Sequence, residues 1–251
     1  MEKSRIYFDI SATTPLDPEI NQFINNLNLR VYGNPSSIHR EGQAAKAIIE
    51  KSRIQIAKAL NAKPEEIIFT SSGSESNNMV VKGVLSPGDH FITSSYEHPA
   101  ILNIIPYLEK NNIKVSIINP NNKGIIDPTQ INNSIRENTR LISIMWVNNE
   151  LGTINPINEI GSLAKENNIL FHSDAVQAFG KIILDMQQTD IDFISMSAHK
   201  LYGPKGVGGI FKRSGAKLSP LIHGGGQEHN LRASTENIAG IGGFGLAAEI
   251  A

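Results

Sequence analysis

Cysteine is absent from all 251 residues. Disulfide bonds and thiolate metal sites within these residues are therefore excluded, and so is any mechanism in which they supply a thiol nucleophile. Net charge is nearly absent too. At −1 near neutral pH the chain has no long-range attraction for nucleic acid or for an anionic membrane. No apolar run approaches the ~20 residues needed to cross a bilayer. The opening residues turn strand-like almost at once, which is unlike a secretory signal, and no internal repeat or low-complexity linker follows. These absences predict a cytoplasmic protein with neither nucleic acid nor membrane as a partner. What is present is ordinary globular composition, 40% hydrophobic and 19% charged, with enough length for one large core or a large and a small one.

Ile6-Tyr7-Phe8-Asp9-Ile10 reads as a short strand, stopped by Thr13-Thr14-Pro15 and Asp17-Pro18, and Gly33-Asn34-Pro35-Ser36-Ser37 reads as a loop. Residues 43–60 carry Ala45, Ile49, Ile56 and Leu60 on one face of a helix. Beyond them strands are expected at 67–70, 91–94, 114–118, 141–147, 169–172, 193–196 and 208–212, with helices at 75–84, 100–111 and 157–167. A Gly/Ala-rich helical pattern runs from Asn237 to Ala251 without a closing cap. This alternation predicts an α/β fold with a mostly parallel seven-stranded sheet covered by helices. Ligands of such sheets sit beyond the carboxyl ends of the strands.

The chemically suggestive residues fall at those ends. Thr70-Ser71-Ser72-Gly73-Ser74-Glu75 reads as strand, turn and helix start, where free amides and the helix dipole favour an anion and the Ser74 hydroxyl adds a donor. An ordinary serine N-cap has the same signature. His98, at a strand-to-helix junction, suits proton transfer or a structural cap. Asp174 follows a buried-looking strand and either caps a helix or pairs with a pyridine nitrogen. Lys200 ends Ser197-Ala198-His199-Lys200, before a glycine-rich stretch, and either is a solvated loop lysine or holds an aldehyde. A lysine for the aldehyde and an acid for the ring nitrogen are what pyridoxal phosphate asks of a protein.

The order of these signals resembles the cysteine desulfurases of the class V aminotransferase family, which have the fold-type I architecture. The resemblance runs through Tyr7-Phe8-Asp9-Ile10-Ser11-Ala12-Thr13-Thr14-Pro15, Gly33-Asn34-Pro35-Ser36-Ser37-Ile38-His39 and Val147-Asn148-Asn149-Glu150-Leu151-Gly152-Thr153. It continues through His172-Ser173-Asp174-Ala175-Val176-Gln177, Ser197-Ala198-His199-Lys200-Leu201-Tyr202-Gly203-Pro204-Lys205-Gly206 and Gly224-Gly225-Gly226-Gln227-Glu228. It implies that Lys200 bears pyridoxal 5'-phosphate covalently and that His98 stacks on the ring and moves protons. It further implies that Asp174 meets the ring nitrogen, that Asn149 and Gln177 approach the ring hydroxyl, and that Gly73, Ser74, Ser197 and His199 hold the phosphate. Thr235 is expected to reach the phosphate of a partner subunit, which implies a homodimer. The implied chemistry takes L-cysteine to L-alanine and passes the sulfur, as a persulfide, to an iron–sulfur scaffold or tRNA-thiolation partner.

Two positions depart from the family pattern, where Ser72 and Ser234 replace glycines. The resemblance also implies that residues 16–251 are the large cofactor-binding domain. Residues 1–15 are expected to pack with a small C-terminal domain, which is absent here together with its catalytic cysteine. The chain is accordingly expected to bind the cofactor without transferring sulfur. Other readings remain open: a different class V enzyme such as a selenocysteine lyase or an aminotransferase, or a non-catalytic cofactor-binding scaffold.

Overall fold

The computed structural model describes residues 6–251. Helix α1 (Pro18–Arg30) begins where the Asp17 carboxylate accepts the Glu19 amide at 2.8 Å. Pro18 occupies the first turn, where a missing N–H is harmless. In α2 (Arg40–Ala59) the His39 ring accepts the Gly42 amide, and Ala45, Ile49 and Ile56 form the buried face. There follow β1 (Ile67–Thr70), α3 (Gly73–Val84), β2 (His90–Ser94), α4 (Pro99–Leu102), α5 (Ile105–Lys110) and β3 (Lys114–Ile118). Next come α6 (Pro128–Ser134), β4 (Thr139–Ser143), α7 (Ile157–Glu166), β5 (Leu170–Asp174) and β6 (Phe193–Ser197). The chain continues with β7 (Gly208–Lys212), α8 (Gln227–Asn230) and α9 (Ile238–Ile250).

All seven strands join one sheet in the order β1-β7-β6-β5-β4-β2-β3. The pairs β2/β3, β2/β4, β4/β5 and β5/β6 are parallel, whereas β7 runs antiparallel to both β1 and β6. Every residue of β1, β2 and β6 is buried, as expected for strands covered on both faces, which read as unbroken apolar runs. The glycine-rich α9 packs against α1 and α2. The predicted mostly parallel α/β fold is the one observed.

Local departures have physical causes. No strand forms at 6–10; that stretch is irregular and ends in a turn in which Ala12 N donates to Asp9 O at 3.2 Å. Asp17-Pro18 begins a helix rather than merely ending a strand, and neither α1 nor α6 was expected. The helix expected at 100–111 is broken into α4 and α5, because Pro106 has no amide to donate and its ring crowds the carbonyl four residues earlier. The ladder of β4 stops at Ser143 instead of Val147. Even so, Ile144 N still donates to His172 O at 3.2 Å and Trp146 N to Asp174 O at 3.0 Å as the chain bends away.

Gly208 shows how closely β7 is fitted to the turn after β1. A Cβ there would lie 2.6 Å from the Ser72 carbonyl carbon and 2.7 Å from Met196 O, both backbone atoms that cannot rotate aside. Gly208→Ala is expected to cost about 1–3 kcal/mol of stability by overpacking, read as a lower urea midpoint with an unchanged slope.

Candidate active site

The carboxyl ends of β1, β2, β5 and β6, and the bend after β4, surround one cavity of about 370 Å³. This is where a parallel sheet of this kind receives ligands, and the size suits a small molecule. Nine of the ten residues singled out from the sequence line it: Gly73, Ser74, His98, Asn149, Asp174, Gln177, Ser197, His199 and Lys200. Thr235 does not. It is exposed, in a separate cavity beside Ser71, Gly206 and Arg232.

Helix α3 opens onto the cavity. Its N-cap is Ser72, whose hydroxyl accepts the Glu75 amide at 3.1 Å, leaving the Gly73 and Ser74 amides without intrahelical acceptors. Ser72 has φ −174°, extended backbone open to any residue, so serine replaces the usual glycine here without strain. Gly73 is pressed against the far wall, and a Cβ on it would meet Val176 Cγ2 at 2.6 Å. The free amides, the helix dipole, the Ser74 hydroxyl and the nearby Ser197 and His199 make an anion seat. His199 Nδ1 lies 3.1 Å from Thr13 Oγ1. Burial, followed by the charges of Lys200, Lys205 and Lys181, lowers the His199 pKa.

Opposite the seat, Asp174 ends β5 with 5% exposure. Its Oδ1 accepts the Val176 amide at 3.0 Å and its Oδ2 accepts Asn77 Nδ2 at 2.6 Å. Burial pushes its pKa up, while these two hydrogen bonds and the charges of His98 and Lys200 pull it back. Lys200 donates to the carbonyls of Ser11 and, at 2.8 Å, Ala12. Burial draws its pKa below the ordinary lysine value against the opposing pull of Asp174, Asp9 and Glu150, which favours the nucleophilic neutral amine. His98 Nδ1 accepts the Ala100 amide at 3.1 Å, so the neutral ring carries its proton on Nε2. Gln177 donates to Ser11 O at 2.7 Å and accepts from Lys181 at 2.6 Å, and Asn149 donates to Glu150 at 2.8 Å.

Two participants were not found from the sequence. Asn77 lines the cavity from within α3 at 1% exposure, and Glu97 lies buried beside His98 at 3%. Glu97 Oε1 accepts Ser94 Oγ at 2.5 Å and the Met145 amide at 3.0 Å, tying the end of β2 to the bend after β4. Its Oε2 has no partner among the described residues. Burial, aided by the Asp174 charge, raises its pKa to about 8 against those two hydrogen bonds. Neither residue carries a local pattern that separates it from a solvated helix or turn position.

The loop bearing Thr235 is held by two ion pairs. Arg53 meets Glu228 through Nη2–Oε1 at 2.8 Å and Nη1–Oε2 at 3.0 Å, both side chains buried, with the guanidinium 4.9 Å from the centre of the Phe69 ring. Glu228 also accepts the Phe69 amide at 2.6 Å, and Arg53 donates to Ile67 O. Arg232 Nε meets Glu75 at 2.8 Å, next to the anion seat. Within the loop Ser234 has φ 140°, a backbone setting that favours the glycine it replaces.

A lysine, a buried carboxylate and an anion seat around one small cavity match the aldehyde, ring nitrogen and phosphate of pyridoxal phosphate. Residues 6–251 match the Aminotransferase class-V family, and the chain belongs to it; its members, cysteine desulfurases among them, depend on pyridoxal phosphate. A cysteine desulfurase IscS of Dictyoglomus turgidum is 48% identical over 253 residues, covering 99% of this chain and 64% of that protein. The mitochondrial cysteine desulfurase of Saccharomyces cerevisiae is 43% identical over 252 residues, covering 98% and 51% respectively. Among solved structures, SspA in complex with cysteine superposes with a TM-score of 0.94 at 42% identity, covering 98% of this chain and 72% of that one. A NifS-like protein from Rickettsia africae ESF-5 gives 0.90 at 38% identity, covering 98% and 69%. The chain thus spans less than two thirds of the length of these curated relatives.

Glu97 makes a pH signature. Its folded-state pKa is raised, so between the ordinary value near 4.5 and about 8 the unfolded chain loses the proton that the folded chain keeps. Stability then falls as pH rises through that window. Glu97→Gln keeps the acceptor for Ser94 and Met145 but cannot titrate. Its Tm should fall less than that of the unaltered chain from pH 5 to 8, by roughly 5 °C, in a calorimetric pH series.

Proposed function

We propose that these residues form the cofactor-binding part of a pyridoxal phosphate-dependent cysteine desulfurase. The observation that carries this reading is the meeting of Lys200, Asp174 and the α3 N-terminus in one cavity. Gly73, Ser74, Ser197 and His199 would hold the phosphate, Asp174 the protonated ring nitrogen, and Asn149 and Gln177 the hydroxyl side of the ring. Lys200 would attach the cofactor covalently, and His98 would lie against the ring and move a proton at Nε2. When bound, the cofactor supplies an electron-withdrawing ring that stabilises negative charge beside the substrate's amino group.

The substrate in this reading is L-cysteine and the product L-alanine, with the sulfur passed on to an iron–sulfur scaffold or a tRNA-thiolation protein. These 251 residues hold no thiol, so a persulfide needs a cysteine from outside them. Thr235, exposed and away from the cavity, reaches the phosphate bound by a second copy, in a homodimer. Residues 6–15, the described part of the segment before residue 16, have Ile6 and Phe8 exposed and would pack with a smaller domain; residues 1–5 lie outside the described residues. The cellular setting is the cytoplasm.

Incubation with pyridoxal phosphate followed by borohydride should leave a stable adduct that peptide mapping assigns to Lys200. Lys200→Ala should form none, and Asp174→Ala should weaken cofactor binding at least tenfold, the scale of losing one charge-assisted contact. Cofactor binding with no adduct at Lys200 would falsify the assignment.

A further inference from the structure

We propose that Asn77 is a positioning residue, whose side-chain amide fixes the Asp174 carboxylate through the 2.6 Å Nδ2–Oδ2 hydrogen bond and thereby sets how tightly a protonated pyridine ring is held. The proposal deepens the functional reading above and rests on it. Only the NH2 end of a carboxamide can face a carboxylate, since the oxygen end would set lone pairs against lone pairs. The Asn77 side chain therefore has one admissible orientation. That orientation leaves its own Oδ1 buried and unpaired among the described residues, an arrangement native proteins generally avoid. Here the demand of Asp174 prevails over the needs of Asn77.

The two Asp174 oxygens have one donor each. One is the Val176 amide, which belongs to the main chain. The other is Asn77, the single side-chain donor to that carboxylate among the described residues. Burial favours the neutral acid at Asp174, and the hydrogen bonds from Asn77 and Val176 together with the charges of His98 and Lys200 oppose it. A neutral carboxyl has no charge with which to hold a pyridinium, so the amide donor weighs directly on ring binding. Asn77 also shares α3 with Gly73 and Ser74. One helix thus sets both the anion seat and, through Asp174, the seat of the ring nitrogen.

The test measures two things on this chain: the pyridoxal phosphate Kd, and the Asp174 titration midpoint in cofactor-free protein by carboxyl-carbon NMR. Asn77→Leu, close in shape but without the donor, should raise Kd about 10- to 100-fold, as expected for losing a hydrogen bond to a charged group. It should also move the Asp174 midpoint upward. Asn77→Asp keeps the shape and guards against a folding defect in the leucine variant. Two carboxyls sharing the site hold one proton between them at lower pH and gain a second negative charge as pH rises, so affinity for a protonated ring should rise with pH in this variant. The unaltered chain should lack that rise. An Asn77→Leu protein with unchanged Kd and unchanged Asp174 midpoint, or an Asn77→Asp protein with the pH profile of the unaltered chain, overturns the proposal. If the unaltered chain takes up no cofactor, the functional reading falls with everything built on ring binding, while the Asp174 midpoint still decides whether Asn77 governs that carboxylate.

Discussion

A carboxylate taken out of water must find donors for both oxygens or give up its charge. Asp174 is in that position at the carboxyl end of β5, with 5% exposure. The surrounding architecture answers it from several directions: the Val176 amide from the turn that follows, Asn77 from α3, and the charges of His98 and Lys200 across the cavity. Parallel strands make this possible, because β2, β4, β5 and β6 release their chains at the same end of the sheet. Residues far apart in sequence thereby acquire a common neighbour.

Reversal of β7 does a second job. Lying antiparallel between β1 and β6, it places Gly208 against the backbone of Ser72 and Met196, where no side chain fits. The turn that starts α3 and the strand that leads to Lys200 are therefore held at fixed separation by main chain alone. Ion pairs then connect this centre to the Thr235 loop: Arg232 with Glu75 beside the anion seat, and Arg53 with Glu228 deeper in. Breaking the deeper pair on one side would strand a buried charge, which is far costlier than replacing both partners.

Much of this was legible in the sequence. Strands buried on both faces give continuous apolar runs such as Ile67-Ile68-Phe69 and Phe91-Ile92, and strand-end polar residues in α/β sheets point to the ligand side, which is why nine of the ten chosen residues meet in the cavity. Where signals compete, the sequence was less clear. Ile6 to Ile10 read as a short apolar strand but join no ladder, and Pro106 interrupts an otherwise helical pattern. Asn77 and Glu97 were illegible for another reason. Asparagine in a helix and glutamate before His98 acquire meaning only from what tertiary packing brings to them, an Asp174 oxygen in one case and the Met145 amide in the other.

The Arg53–Glu228 pair has an effect beyond the active site. β1 is the outermost strand on its side of the sheet, and such a strand offers outward amides and carbonyls as a template for edge-to-edge aggregation. Here the Phe69 amide is already bound by Glu228 and the Ile67 carbonyl by Arg53. Two charged side chains occupy the places a foreign strand would use, so the border of the sheet is closed to uninvited pairing without an added strand.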